Sequence, residues 1–229
     1  MKTVFLSGTG TDLGKTHVAE ALLRADATDD VKRRVVVWKP YESGIQPGVP
    51  CDSERLAEAV RVRRTHHVHE TSRLEPPLQR FAPPLAPPIA AKLGGQVLLT
   101  AELELALARL RSEADVLLVE LAGGLFAPLT DTWLGYDLAR SVPDAQVVLV
   151  VANRLGALHD VIATVRAAHD VAITHVVLSA TAEPDLASLH NVEMLRERLP
   201  GLQFHVVPRE PVERLARHRD VRALSALLL

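Results

Sequence analysis

The chain has 229 residues, of which 48% are hydrophobic and 24% charged, and its formal net charge is −2 at pH 7. This length predicts a single domain over residues 1–229, and the balanced charge argues against nucleic acid or an anionic membrane as a partner. The lone Cys51 excludes an internal disulfide and fits a reducing compartment. The apolar run 147–152 is too short to cross a bilayer, and residues 1–7 lack a signal-peptide core. We therefore expect a cytoplasmic protein.

Apolar, β-branched runs alternate with helical periodicity along the whole chain. Strands are predicted over residues 3–7, 35–38, 116–120, 146–152, 175–179 and 205–207. Helices are predicted over residues 15–24, 53–63, 101–113, 160–169, 186–199 and 220–229. Several of these strands are apolar on both faces, as is typical of parallel strands covered by helices. The alternation predicts an α/β fold with a doubly wound parallel sheet and helices on both faces.

Residues 75–89 differ from the rest of the chain because six of them are proline. Proline lacks the backbone N–H and fixes φ, so this stretch is excluded from a central strand or a helix interior. We interpret it as an ordered crossing loop, and such loops in compact domains are often functional.

The strongest motif follows the first predicted strand and reads Gly8-Thr9-Gly10-Thr11-Asp12-Leu13-Gly14-Lys15-Thr16. In such a loop the backbone N–H groups and the helix dipole hold polyphosphate, while the lysine contacts terminal phosphates and the hydroxyl binds Mg²⁺. The alternative is a glycine-rich turn with a helix cap. Glycine stands at position 8 rather than 9, and Gly10 occupies the place of the second lysine of partition-type ATPases. The motif therefore predicts a P-loop NTPase-like fold outside the partition class.

Two carboxylates and a second lysine are further candidates. Glu120 ends an apolar strand and is followed by glycines, which favours a Mg²⁺ ligand at the carboxyl edge of the sheet. Asp52 is a weaker candidate, because it also fits a helix N-cap. Lys39 closes the second strand, so it either points into the ligand crevice or lies exposed in solvent.

Taken together, the motifs resemble the dethiobiotin synthetase family. The resemblance covers the phosphate-binding loop, Lys39-Pro40 with Ser43-Gly44, and Glu120-Leu121-Ala122-Gly123-Gly124-Leu125-Phe126-Ala127-Pro128-Leu129. It continues through Pro84-Leu85-Ala86-Pro87, Asp131-Thr132 and Leu155-Gly156, and so spans nearly the whole chain. The shifted glycine is the family's own form of the loop.

The resemblance implies an enzyme that closes a ureido ring on 7,8-diaminopelargonate with CO₂ and ATP, using Mg²⁺. A carbamate and a carbamic-phosphoric anhydride are the intermediates, and the products are dethiobiotin, ADP and phosphate. Lys39 would hold the carbamate, Lys15 the migrating phosphoryl group, and Ser43 the substrate. Family members are homodimers, so a homodimer is expected here.

The resemblance also implies the remaining site residues. Mg²⁺ would be bound by Thr16, Asp52 and Glu120. The nucleotide would be bound by Asp12, Leu13, Gly14, Lys15, Thr16, His17, Asp52, Glu120, Leu121, Ala122, Gly123, Ser179, Ala180, Pro208, Arg209 and Glu210. Leu121 replaces a glycine that is usual after the metal-site glutamate, Pro88 replaces a histidine, and Ser179 replaces the asparagine that reads the purine base.

Other functions fit these residues less well. A partition or scaffold-type P-loop ATPase would carry the second lysine, and the cobyrinate amidating synthetases append a glutaminase domain for which 229 residues leave no room. The trio His66, His67 and His69 lacks the carboxylate or cysteine partners of a metal site, so we interpret it as a solvated helix end.

Overall fold

The computed structural model describes residues 1–25, 33–66 and 71–229. The strands are β1 (Lys2–Gly8), β2 (Val35–Trp38), β3 (Tyr41–Ser43), β4 (Arg73–Glu75), β5 (Gln79–Phe81), β6 (Val116–Glu120), β7 (Gln146–Asn153), β8 (Ala172–Ala180) and β9 (Gln203–Val207). The helices are α1 (Lys15–Arg24), α2 (Asp52–His66), α3 (Pro87–Leu93), α4 (Thr100–Glu113), α5 (Gly135–Arg140), α6 (Ala157–Ala167), α7 (Asn191–Arg198), α8 (Val212–Leu215) and α9 (Arg219–Leu228). His67 and His69 lie outside the described residues.

Within the described residues, seven strands form one parallel sheet in the order β4-β2-β6-β1-β7-β8-β9. Strand β1 lies at the centre, with Phe5 opposite Val119 on one side and Val147 on the other. After β1, the chain adds β2 and β4 on one side of the sheet and then places β6 between β2 and β1. It then crosses to the other side of β1 and adds β7, β8 and β9. The direction of building therefore reverses at β1, where open α/β sheets bind ligands at the carboxyl ends of their strands.

Each face of the sheet carries its own core. Alternate residues of β1 point to opposite faces, so Val4 and Leu6 pack on one side and Phe5 on the other, all of them fully buried. Helices α1, α2, α8 and α9 cover the Val4 side, and α4 to α7 cover the Phe5 side. The predicted doubly wound α/β fold with helices on both faces is confirmed.

The six predicted strands are all present, whereas the helix predicted over 186–199 is wrong as a single element. It is split into a 3₁₀ turn, Leu186–Leu189, and helix α7. The buried side chain of Asn191 donates to Asn153 Oδ1 at 2.9 Å and to the Arg154 carbonyl at 3.0 Å. These bonds join the start of α7 to the end of β7. The direction of α7 is therefore set by β7 and not by the preceding 3₁₀ turn.

The proline-rich stretch contains more regular secondary structure than the ordered crossing loop that the sequence predicts. It contains β5, which pairs in parallel with β3 in a separate small sheet, and the start of α3. Helix α3 begins with Pro87 and Pro88, where a missing N–H has no helical partner to lose. Proline is thus accommodated at the start of a helix, a position that the prediction of a loop did not consider.

In the described parts of the chain, no helix has the length and apolar character needed to cross a membrane.

Candidate functional site

A cavity of about 740 Å³ opens at the carboxyl ends of β1, β2 and β6. Its walls include the phosphate-binding loop from Thr11 to His17, and Lys39 and Glu120 from the neighbouring strand ends. The remaining predicted residues on its walls are Ser43, Asp52, Ala122 and Gly123. The parallel sheet thus brings the predicted phosphate, metal and substrate residues to one place.

The phosphate-binding loop joins β1 to α1, in the strand–loop–helix order that its sequence predicts. Gly14 adopts φ 88° directly before α1, in the left-handed region that favours glycine. Asp12 also has a positive φ, 56°, a conformation that aspartate tolerates better than most residues. Lys15 lies along the loop and its Nζ donates to the Gly10 carbonyl at 2.9 Å. The residue that replaces the partition-type lysine therefore contacts the P-loop lysine directly.

The loop after β6 packs backbone to backbone on the phosphate-binding loop. The Leu125 N–H donates to the Gly8 carbonyl at 2.9 Å. A methyl group on Gly124 would lie 3.1 Å from the Gly10 nitrogen and 3.2 Å from the Gly8 oxygen. Only glycine fits this close approach without displacing one of the two loops.

A cluster of charges lies under the phosphate-binding loop. The Nζ of Lys39 donates to Glu120 Oε1 at 2.8 Å and to Asp52 Oδ2 in a short contact. The Thr16 hydroxyl donates to the same Glu120 oxygen at 2.7 Å. Lys39 and Glu120 are almost completely buried, whereas the Asp52 side chain is 38% exposed toward the cavity. Lys39 is thus held inside the site and does not lie in solvent.

The surroundings of these groups change their proton affinities. Burial lowers the pKa of Lys39, but the carboxylates of Glu120 and Asp52 outweigh burial and raise that pKa well above its usual value. Burial raises the pKa of Asp52, yet the Lys39 ammonium outweighs it and holds this pKa below its usual value. For Lys15 burial dominates, with a smaller contribution from Lys39, and the net pKa is lowered. Lys39 and Asp52 are therefore both charged at neutral pH.

The three predicted metal ligands fit Mg²⁺ in chemical type, and all three line the first cavity. Glu120 Oε2 is buried and has no hydrogen-bond partner among the residues that the structure describes, while Oε1 accepts from Thr16 and Lys39. Two carboxylates and a hydroxyl are the hard oxygen ligands that Mg²⁺ prefers, and it commonly completes its coordination with phosphate oxygens and water. No group of three or more His, Cys, Asp or Glu side chains suited to a metal occurs in the described ranges. A cation here would rely on Thr16 and on the nucleotide.

A second cavity, of about 550 Å³, lies on the other side of the loop from Asp12 to His17. Ser179 and Ala180 line it from the end of β8. The segment after β9 contributes Pro208, Arg209 and Glu210. His17 Nε2 lies 2.8 Å from the Glu210 carbonyl, which ties this segment to α1. The residues predicted to surround the base therefore gather beside the residues predicted to hold the phosphates.

Leu121 is the predicted nucleotide residue whose side chain does not reach either cavity. It is fully buried and belongs to the core on the Phe5 face, and its backbone N–H donates to the Leu6 carbonyl at 2.9 Å. A methyl group on Gly135 would lie 3.1 Å from the Leu121 side chain, so glycine makes room for the leucine. The leucine side chain therefore points into the core and away from the phosphate side of the cavity.

Ser43 and Arg55 also contribute polar groups to the lining of the first cavity. Within the described residues, the buried Ser43 Oγ has no hydrogen-bond partner, and Ser43 lines the cavity where a ligand would bind. Arg55, which sequence reasoning missed, pairs with the buried Glu20 of α1 and lies 3.8 Å from Asp52. The i,i+3 spacing of Asp52 and Arg55 on one helix is the sequence signal that could have indicated it.

Comparisons with known proteins place the chain in a family. A family model described as "AAA domain" matches residues 2–219. "ATP-dependent dethiobiotin synthetase BioD" of Caulobacter sp. (strain K31) is 36% identical over 91% of this chain and 89% of its own. The protein of that name from Anaeromyxobacter sp. (strain Fw109-5) is 34% identical over 96% and 92%. Among solved structures, the Aquifex aeolicus MinC:MinD cell division protein complex aligns over 94% of this chain and 86% of its own at 14% identity, with a TM-score of 0.50, which supports the fold alone. The chain belongs to the AAA-domain family and, within it, to the ATP-dependent dethiobiotin synthetases.

Proposed function

We propose that this protein uses ATP to close the ureido ring of dethiobiotin on 7,8-diaminopelargonate and CO₂, as a cyclo-ligase of biotin biosynthesis. The observation that carries the proposal is the position of Lys39. Its buried ammonium lies at the same cavity as the phosphate-binding loop and the unpartnered Ser43 hydroxyl. That arrangement suits a reaction in which an anionic intermediate meets a nucleotide phosphate.

The reaction proceeds in three bond-forming steps. One amine of the substrate attacks CO₂ and loses a proton, which gives a carbamate. A carbamate oxygen attacks the γ-phosphorus of ATP, and ADP leaves. The second amine then attacks the carbonyl carbon of the mixed anhydride and loses a proton, and phosphate leaves as the ring closes. No protein nucleophile is required, so catalysis depends on positioning and charge stabilisation.

The two lysines have distinct tasks in this scheme. Lys39 stabilises the carbamate and holds it beside the phosphates, and Ser43 binds the diamine end of the substrate. Lys15 neutralises the charge that develops on the phosphoryl group during transfer. The full charge of Lys39 at neutral pH, which Glu120 and Asp52 maintain, supports its role as a permanent cation.

Thr16, Asp52 and Glu120 would hold Mg²⁺. The bound ion would supply positive charge to the triphosphate and so lower the electrostatic cost of nucleophilic attack on it. The unpartnered Glu120 Oε2 supports this assignment. Asp12, Leu13, Gly14 and His17 would hold the phosphates through the loop and the N-terminus of α1.

The second cavity would bind the nucleotide base. Ser179 and Ala180 would contact the base from β8, and Pro208, Arg209 and Glu210 from the segment after β9. The backbone of Leu121 and the residues Ala122 and Gly123 would complete the phosphate side. A serine hydroxyl offers less to a purine edge than an amide, which predicts weak selection of the base.

A homodimer is the proposed assembly. The loop after β7 and the turn after β8 meet at one end of the sheet, where the Leu155 N–H donates to Asp185. Leu155, Leu186 and Leu189 are between 71% and 80% exposed there, which favours burial against a second subunit. Sedimentation of the purified protein at micromolar concentration tests this.

We further propose one domain over residues 1–229 and a cytoplasmic location, in which Cys51 stays reduced.

One experiment tests the function. Pure protein is incubated with Mg²⁺, ATP, bicarbonate and 7,8-diaminopelargonate, and dethiobiotin is detected by mass. The expected result is dethiobiotin and ADP in equal amounts, with no ATP turnover when the diamine is omitted. A partition or scaffold-type ATPase, the second candidate on fold alone, would instead respond to DNA and form no dethiobiotin. The contact of Lys15 with the Gly10 carbonyl, where that class carries a lysine, disfavours the second candidate.

A further inference from the structure

The strand that carries Ser43 also carries a buried carboxylate with no task in the reaction above. Glu42 precedes Ser43 in β3, and neighbouring residues of a strand point to opposite faces. Ser43 therefore lines the cavity while Glu42 faces the start of α2. The Glu42 side chain is only 2% exposed, which is unusual for a glutamate and requires partners.

Those partners are on two other elements. Glu42 Oε1 accepts from the Ser53 N–H at 3.0 Å, and Oε2 accepts from the Ser53 hydroxyl at 2.7 Å. Arg80, opposite Glu42 in the β3–β5 pair, has its Nε 3.5 Å from Oε2 and donates from Nη2 to the Ser53 hydroxyl at 2.6 Å. The Glu42 carboxylate, the Ser53 hydroxyl and the Arg80 guanidinium thus each contact the other two.

The Ser53 N–H is one of the free donors in the first turn of α2, and the helix dipole favours a negative charge there. A side chain of a separate strand satisfies this donor, so Glu42 joins β3 to α2. Asp52 immediately precedes Ser53 and contacts Lys39 from this same helix start. Asp52 therefore projects into the cavity from the helix turn that the Glu42 contacts join to β3.

We propose that Glu42, supported by Arg80, is a positioning residue that holds Asp52 and Ser43 in one fixed arrangement. The inference rests on the proposed function, because it assumes that Asp52 binds the cation and Ser43 the diamine. It makes a specific claim beyond that function: the cation site and the diamine site are coupled through residues that touch neither ligand.

The coupling predicts a pattern that a general loss of stability would not produce. Loss of the Glu42 contacts should weaken cation binding through Asp52 and raise the KM for the diamine through Ser43. The affinity for ADP without a divalent cation should stay unchanged, because the phosphate-binding loop makes none of these contacts. Residues that orient metal ligands through hydrogen bonds typically change metal affinity or activity by about 10-fold to 100-fold. Glu42 acts on Asp52 through the neighbouring Ser53, so we expect a loss of Mn²⁺ affinity near the lower end, about 10-fold.

The test uses Glu42→Gln and Ser53→Ala in the full chain. Mn²⁺ binding in the presence of ADP is followed by electron paramagnetic resonance, ADP binding in EDTA by calorimetry, and the KM for the diamine by dethiobiotin formation. Glu58→Gln is the matched control, because Glu58 is an exposed carboxylate of the same helix that pairs locally with Arg61 at 2.6 Å. The control should behave as the unsubstituted protein in all three measurements.

The expected result is weaker Mn²⁺ binding and a higher diamine KM in both variants, with ADP affinity unchanged. Wild-type Mn²⁺ binding and KM in a folded variant would overturn the proposal, as would an equal loss of ADP affinity. If Glu42→Gln does not fold, Ser53→Ala decides, because it removes the hydroxyl and leaves the backbone N–H. The Mn²⁺ measurement needs no diamine, so it stands even if the unsubstituted protein forms no dethiobiotin and the proposed function fails.

Discussion

Replacing Lys39 by methionine keeps the side chain's length and removes the charge between Glu120 and Asp52. Glu120 is 1% exposed, so it cannot regain solvation when its partner 2.8 Å away is lost. Breaking a buried ion pair from one side typically costs about 3–5 kcal/mol. A chain of this size loses about 2–4 °C of melting temperature per kcal/mol, so Lys39→Met should melt about 6–20 °C lower.

Thermal unfolding by calorimetry measures this loss, and Lys92→Met is the matched control. Lys92 also pairs with a carboxylate, Asp131 at 3.0 Å, but both side chains are exposed, and such surface pairs are worth about 0–1 kcal/mol. The double variant Lys39→Met/Glu120→Gln should recover much of the loss, since it leaves no unpaired buried charge. Mg²⁺ with ADP should stabilise Lys39→Met more than the unsubstituted protein, because the cation replaces the missing charge.

The same variant separates substrate binding from nucleotide binding. Diamine-dependent turnover should fall by about 10²–10³, the usual effect of removing one stabilising donor, while ADP affinity stays near normal. A melting temperature as high as that of Lys92→Met would refute the structural reasoning. An equal loss of ADP affinity would move Lys39 from the carbamate to the nucleotide.

Three further outcomes follow from the structure. Lys15→Ala should lower turnover by about 10²–10³, measured as phosphate release, and near-normal turnover would remove Lys15 from catalysis. Because Ser179 lacks an amide's paired donor and acceptor, CTP, GTP and UTP should support kcat/KM within about tenfold of ATP; a preference for ATP above about a hundredfold would contradict this. Burial, and to a smaller extent the neighbouring His205, lowers the pKa of His175 to about 4. The contribution of His175 to folding stability is therefore fully present above about pH 6.5 and is lost as the pH falls toward 4. Between pH 7.5 and pH 5, urea unfolding should show a loss of stability that is smaller in His175→Asn by up to about 2 kcal/mol, the contribution of His175.

The fold could be predicted wherever the sequence carries a long pattern. Helix α1 begins and ends where the motif and its periodicity predict, because Gly14 fixes its start and its buried face repeats through Leu22 and Leu23. Strands β3 and β5 were missed because three residues show no periodicity. The split before α7 depends on a bond from Asn191 to β7, which local sequence does not reveal.

For the candidate site, too, the sequence predicts some features and not others. The positions of Lys39 and Glu120 at strand ends could be inferred, since each follows an apolar run, and parallel strands end at one edge. Their direct contact requires β2 and β6 to be neighbours, although these residues are 81 positions apart in sequence. Glu42 gave no signal, because a glutamate in a short polar segment is ordinarily exposed. Its burial is set by Ser53 and Arg80, which reach it from other elements.

The close approach of Gly124 to the phosphate-binding loop has a consequence for reading genetic variation. Any side chain at this position would press on the backbone at Gly8 and Gly10 and deform the loop that holds Lys15. In a saturation mutagenesis survey scored by growth without biotin, Gly124 would therefore tolerate as few substitutions as Lys15. Lys15 would be intolerant because its charge is required, and Gly124 because any side chain would displace the neighbouring loop. The positions sensitive to substitution would therefore include residues that do not take part in the reaction.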